Sequence, residues 1–93
     1  MTLVVKRNRK GQKFEPRKLR RSIDKACAEA GLPSAKRKAV VEKVSREVIA
    51  IVDRQDRVRS VVIREWVLYR LDKASPAVSR CWRDHDREKK GIT

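Results

Sequence analysis

The sequence predicts an α+β domain, mostly α, in which an N-terminal β-hairpin, joined by a short third strand, lies over a four-helix bundle. Three observations carry that expectation. Apolar residues recur at spacings of three and four through most of the chain. Pro16, Ser34, Ser60 and the pair Ser75-Pro76 stand where helices begin, and Gly31 stands where one ends. A turn-forming tetrad, Asn8-Arg9-Lys10-Gly11, separates two short runs near the N-terminus. At 93 residues with no internal repeat the chain reads as one domain, 1–93, of which about 88–93 form a basic, disordered tail.

Residues 2–7 and 10–15 supply the hairpin strands. Pro16 suits the first turn of a first helix, where Leu19, Ile23, Ala26, Cys27 and Ala30 share a face until Gly31 stops it. After the break at Leu32 and Pro33, Ser34 is placed to cap a second helix with the stripe Val41, Val44, Val48 and Ile51. The β-branched cluster at 48–52 would also suit a strand, but the four-residue period over the longer window favours helix. A charged connection at 53–57 leads to Val58 and Arg59, a brief strand. Ser60 is placed to cap a third helix that buries Ile63, Val67 and Leu71. Ser75-Pro76 then opens a fourth, with Val78, Cys81, Trp82 and His85 on one face and a frayed basic stretch over 87–93.

Lys and Arg number 26 against 12 Asp and Glu, a net charge of +14, and such self-repulsion marks a chain whose partner is anionic. Nucleic acid, nucleotides and acidic membranes all qualify, and charge alone ranks nucleic acid first. No apolar run is long enough to span a bilayer and residues 1–13 lack the apolar stretch of a signal peptide, so the expected location is cytoplasmic, with no membrane partner. Cys27 and Cys81 lie outside any C-x-x-C pair and read as two reduced thiols. Glycine at 11, 31 and 91 alone excludes a P-loop and a dinucleotide fingerprint.

His85, the single histidine, reads as a packing residue, and no acid, base and nucleophile can be assembled from neighbouring positions. Neither catalysis nor a metal site is expected. Trp66 and Tyr69, three apart, suit either base stacking or packing within the bundle, with packing against Trp82 favoured.

The informative cluster is cationic. Arg17, Lys18, Arg20 and Arg21 crowd the first turns of the first helix, where the helix dipole is itself positive. An anion at that end would relieve the mismatch. Lys6 and Arg7 end the first strand and can converge on the same place, which makes a cradle for a polyphosphate; on charge alone a solvated basic face explains the cluster equally well.

Residue order adds what charge cannot. The run Val4-Val5-Lys6-Arg7 through Phe14-Glu15-Pro16-Arg17-Lys18-Leu19 resembles, without a gap, the ATP-cone opening V-x-K-R-D-G-x-x-E-x-F-[DN]-x-x-K-[IL]. Further on, residues 20–31 resemble that family's first helix, Val58-Arg59-Ser60 with Ile63 its V-T-[ST]-x-x-I segment, and Ser75-Pro76 its D-P pair. The resemblance covers residues 2–87. ATP-cones are regulatory modules of ribonucleotide reductase large subunits, of a zinc-ribbon repressor and of some archaeal kinases, and they bind ATP or dATP under a hairpin lid.

By that resemblance Val4 lies near the base and Lys6, Arg7 and Lys18 meet the phosphates. Ser60 takes the place of a threonine near the nucleotide, while Gln12 and Glu15 stand where the family has an acidic residue and an Asp or Asn beside the adenine. Arg9 and Arg21 are additional candidate phosphate contacts, and Mg²⁺ is expected to accompany the nucleotide. Asn8-Arg9 departs from the family's Asp-Gly turn, which shifts the turn toward Gly11, and Gln12 keeps a hydrogen-bond acceptor but loses the charge of Glu.

The expected function is a free-standing regulatory domain that binds ATP or dATP and thereby modulates a partner protein or its own association. The alternative is a nucleic-acid-binding protein or transcriptional regulator that lays the same basic helix and tail on a phosphate backbone.

Overall fold

The computed structural model describes residues 2–6 and 10–92, with side chains as far as residue 84. Two short strands, β1 (Leu3–Val5) and β2 (Gly11–Lys13), pair antiparallel with Val4 opposite Gln12. The turn residues Arg7, Asn8 and Arg9 lie outside the described residues. A third strand, β3 (Arg57–Arg59), runs parallel to β1 on its other side with Val58 opposite Val4, giving the sheet order β2-β1-β3. The brief strand expected at Val58 and Arg59 is therefore present, and it is the long-range pairing that fastens the hairpin to the rest of the chain.

Four helices complete the domain: α1 (Pro16–Glu29), α2 (Ser34–Val52), α3 (Ser60–Ala74) and α4 (Pro76–Ile92). They pack in cyclic order, α1 on α2, α2 on α3, α3 on α4 and α4 back on α1. The α4 backbone takes in most of the stretch read from sequence as a disordered tail, although the side chains there, with that of His85, lie outside the described residues.

The α1 face is the one the spacing predicts, with Leu19, Ile23, Ala26 and Cys27 buried. Its end is a Schellman motif: Gly31 adopts φ 77°, its N–H donates to the Ala28 carbonyl and the Leu32 N–H reaches back to the Cys27 carbonyl. Only glycine takes that conformation without strain. On α2 the stripe runs slightly off the expected line. Val44, Val48 and Val52 are buried, whereas Ile51 is half-buried, because at about 100° per residue Val52 lies about 40° from the direction of Val48 and Ile51 about 60°. Ile63, Val67 and Leu71 of α3 and Val78 of α4 close the core.

Capping differs from expectation. Ser34 and Ser60 are the first residues of their helices, not the residues before them, and neither α2 nor α3 has a side-chain cap. Ser75 serves through its carbonyl, which accepts the N–H groups of Val78 and Ser79. The aromatic trio also divides. Trp66 and Trp82 pack against the core, but Tyr69 is 57% exposed, with the Lys73 ammonium 4.4 Å from its ring centroid. The hydrogen bond from Lys73, helped by its charge, lowers the Tyr69 phenol below its usual pKa.

Thr2, unremarked in sequence, ties the sheet to the bundle. Its buried hydroxyl shares its one proton between the carbonyls of Val52 at 2.8 Å and Gln55 at 2.7 Å, its own carbonyl accepts the Phe14 N–H, and the next residue, Leu3, donates its N–H to the Asp56 carbonyl. Thr2→Val keeps the shape and removes the donor, so it is expected to cost about 1–2 kcal/mol. A urea-unfolding midpoint equal to that of the parent would show that the knot carries no stability.

Candidate functional site

The sheet sits at one end of the bundle, and two helices leave it: α1 begins three residues after β2, and α3 begins directly after β3. Between them opens a cleft of about 260 Å³. That is close to the lower end of the range for small-molecule sites.

Each wall follows from local geometry. Val4 faces the cleft from β1, with Gln12 and Lys13 from β2 and Phe14 and Glu15 from the segment leading into α1. On α1 the core takes Leu19, Ile23, Ala26 and Cys27, and the adjoining flank at spacings of four and three, Lys18, Ser22 and Lys25, lines the cleft. The opposite flank meets α2 through two ion pairs, Arg20 to Glu42 at 3.9 Å and Asp24 to Arg37 at 3.1 Å. From α3 come Ser60, Ile63 and Arg64, one turn apart, and from α4 comes Trp82.

Five of the residues singled out in the sequence, Val4, Gln12, Glu15, Lys18 and Ser60, therefore share one cleft. Lys6 does not form its wall; it is exposed at the end of β1, on the same strand face as Val4, and its N–H closes the hairpin on the Lys10 carbonyl at 3.1 Å. Arg21 lies with Arg17, four residues earlier, on the α1 face turned away from the core, and it does not line the cleft either. Arg7 and Arg9 lie outside the described residues.

Lys13, Ser22, Lys25, Arg64 and Trp82 were not singled out for the site in the sequence. A signal for two of them was present: Lys25 lies seven residues after Lys18, and Arg64 four after Ser60, both spacings that keep a helix face.

The helix start is less bare than the charge pattern implies. Glu15, the residue before Pro16, holds the Lys18 ammonium at 2.9 Å, and both groups are more than half exposed. Pro16 has no N–H, and the Lys18 and Leu19 amides are directed to the Glu15 carbonyl at 3.1 and 3.3 Å. Free helix amides therefore contribute little here, and side chains carry the anion-binding character. Among the described residues the cleft lining holds four cations, Lys13, Lys18, Lys25 and Arg64, against the single carboxylate of Glu15, with the apolar side chains Val4, Phe14, Leu19, Ile63 and Trp82.

Among the described residues no group of three or more His, Cys, Asp or Glu side chains is placed to hold a metal ion, and no helix is long and apolar enough to cross a membrane. Cys27 and Cys81 are free thiols on α1 and α4. Burial, reinforced by the nearby Asp24 carboxylate, pushes the Cys27 thiol up from 9.0 to about 11, which makes it inert.

No curated protein matches the chain. The model of the ATP cone domain family matches it over residues 2–87, the span that builds the hairpin, the four-helix ring and every wall of the cleft. With that match over nearly its whole length, the chain belongs to the ATP-cone family of nucleotide-binding regulatory domains.

Proposed function

We propose that the cleft beneath the hairpin binds ATP or dATP, one molecule per chain, and that occupancy modulates the association of this domain with a partner protein or a second copy. The observation that carries the reading is the composition of the cleft, an apolar and aromatic floor ringed by four cations. A base needs the first and a polyphosphate the second.

In this reading the base lies at the hairpin end against Val4, Phe14 and the Gln12 amide, which can donate and accept at once. The phosphates meet Lys18, with Lys6 and Arg7 closing over them from the hairpin, and Ser60 supplies a hydroxyl. Arg9 and Arg21 remain candidate outer phosphate contacts. Mg²⁺ accompanying the nucleotide would be held mainly by phosphate oxygens, since it keeps several waters and takes few protein ligands. No turnover is proposed: among the described residues that line the cleft the carboxylate is that of Glu15, and it is paired with Lys18.

The test is a titration of the protein with ATP, dATP, GTP and a short DNA duplex. ATP or dATP is expected to saturate at one per chain, and at ten times its dissociation constant to stabilise the fold by about 1.4 kcal/mol. Lys18→Ala is expected to weaken ATP by roughly 10- to 100-fold, the worth of a charge-assisted hydrogen bond. The empty variant should change by less than about 1 kcal/mol, since only an exposed ion pair with Glu15 is lost. Full ATP binding by Lys18→Ala would place the phosphates elsewhere.

The excess of exposed cations, Arg17 and Arg21 on the outward face of α1 among them, supports a second reading as a nucleic-acid binder. It is separated by salt: duplex binding through phosphate contacts falls by orders of magnitude between about 50 and 200 mM salt. Tight duplex binding at the higher salt, with no saturable ATP binding, would favour that reading.

A further inference from the structure

The cleft has a direction. Both α1 and α3 start at the sheet and run away from it, so the order of lining residues along each helix is an order of distance from the hairpin. On α1 that order is Lys18, Ser22, Lys25; on α3 it is Ser60, Ile63, Arg64. Seven residues separate Lys18 from Lys25, about 10 Å along the helix axis. The cleft thus passes from Val4 and Gln12 under the hairpin to a cation at its far end.

The two α1 cations also differ in their commitments. Lys18 is held by Glu15 at 2.9 Å. Lys25 has no ion pair or hydrogen-bond partner among the described side chains, although it lines the same cleft. An uncommitted ammonium at the end of a run of cations gains most from the last negative group to arrive, because no internal carboxylate competes for it.

We propose that Lys25 counts phosphates: it takes the terminal phosphate of a nucleoside triphosphate whose base lies at the hairpin end, and it makes the cleft select triphosphate over diphosphate. This rests on the nucleotide reading above. A diphosphate fills the hairpin end and reaches Lys18 but stops short of Lys25. Specificity for the charged state of the nucleotide then comes from a position two helical turns beyond Lys18, separately from whatever chooses the base.

Isothermal titration of ATP, ADP and AMP into the wild type, Lys25→Gln and Lys36→Gln tests this. Lys36 sits in the first turn of α2, outside the cleft, and its replacement removes the same charge from the protein as a whole. The wild type is expected to bind ATP about 10-fold or more tighter than ADP, as one charge-assisted contact would give. Lys25→Gln should bring the two within about 3-fold while ADP affinity and the melting temperature of the empty protein stay near the wild type, and Lys36→Gln should keep the wild-type ratio. An unchanged ATP-to-ADP ratio in Lys25→Gln, or an equal loss for both nucleotides, overturns the proposal while leaving the nucleotide site standing. Absence of saturable binding of all three to the wild type rejects the nucleotide reading and this proposal together.

Discussion

Replacing Ile23 by alanine is expected to destabilise the domain by about 2–5 kcal/mol, through lost transfer free energy and the cavity left behind. Ile23 is fully buried on the core face of α1, next to the flank that presents Lys18, Ser22 and Lys25 to the cleft. A domain of this size holds roughly 5–14 kcal/mol in all, so one substitution removes a large share of it. At about 4–8 °C per kcal/mol, the melting temperature should fall by about 8 °C or more. ATP should restore part of the loss by mass action if the folded cleft is intact. A variant that melts within a few degrees of the wild type would mean that the core closes over the missing methyl groups and that α1 is held chiefly by its ion pairs to α2.

The second large effect is one of pH. The Cys27 thiol is pushed up from 9.0 to about 11, first by burial and then by Asp24. In the folded protein the thiol keeps its proton where the unfolded chain loses it, so between those values the unfolded state binds fewer protons and stability falls as pH rises. The contribution is complete below pH 9, declines from there, and is gone above about 11; two pH units at about 1.4 kcal/mol each make the loss roughly 3 kcal/mol. Lysines titrate in the same window, so the informative quantity is the difference between the wild type and Cys27→Ala. Urea unfolding from pH 8 to 10.5 should show a steeper decline for the wild type. Parallel curves would mean that the thiol is reached by water in the folded state.

Much of the helical framework was determined by the sequence alone, because it rests on local periodicity. Leu19, Ile23, Ala26 and Cys27 repeat at helical spacing and are buried together, as are Ile63, Val67 and Leu71. Gly31 ended α1 because one backbone conformation at one position suits a single residue type. Val58 and Arg59 could be read as a brief strand from the sequence, but its partner could not. The parallel pairing of β3 with β1 joins residues more than fifty apart, and Thr2 could be recognised as the knot only once Val52 and Gln55 had been brought to it.

The cleft divides along the same line. The motif at residues 4–19 named Val4, Gln12, Glu15 and Lys18 as a set because they are close in sequence. Lys25 and Arg64 share a helix face with Lys18 and Ser60, a spacing legible in the sequence, whereas Trp82 joined them through the packing of α4 on α1 and α3, which no local pattern records. Tertiary structure also decided which α1 charges are answered from another helix: Arg20 meets Glu42 and Asp24 meets Arg37, both on α2. Lys18 is paired locally, with Glu15 three residues earlier, whereas Lys25 has no ion pair among the described side chains and lines the cleft. A charge's value to a ligand depends on its neighbours in space, and those are set by how the helices pack.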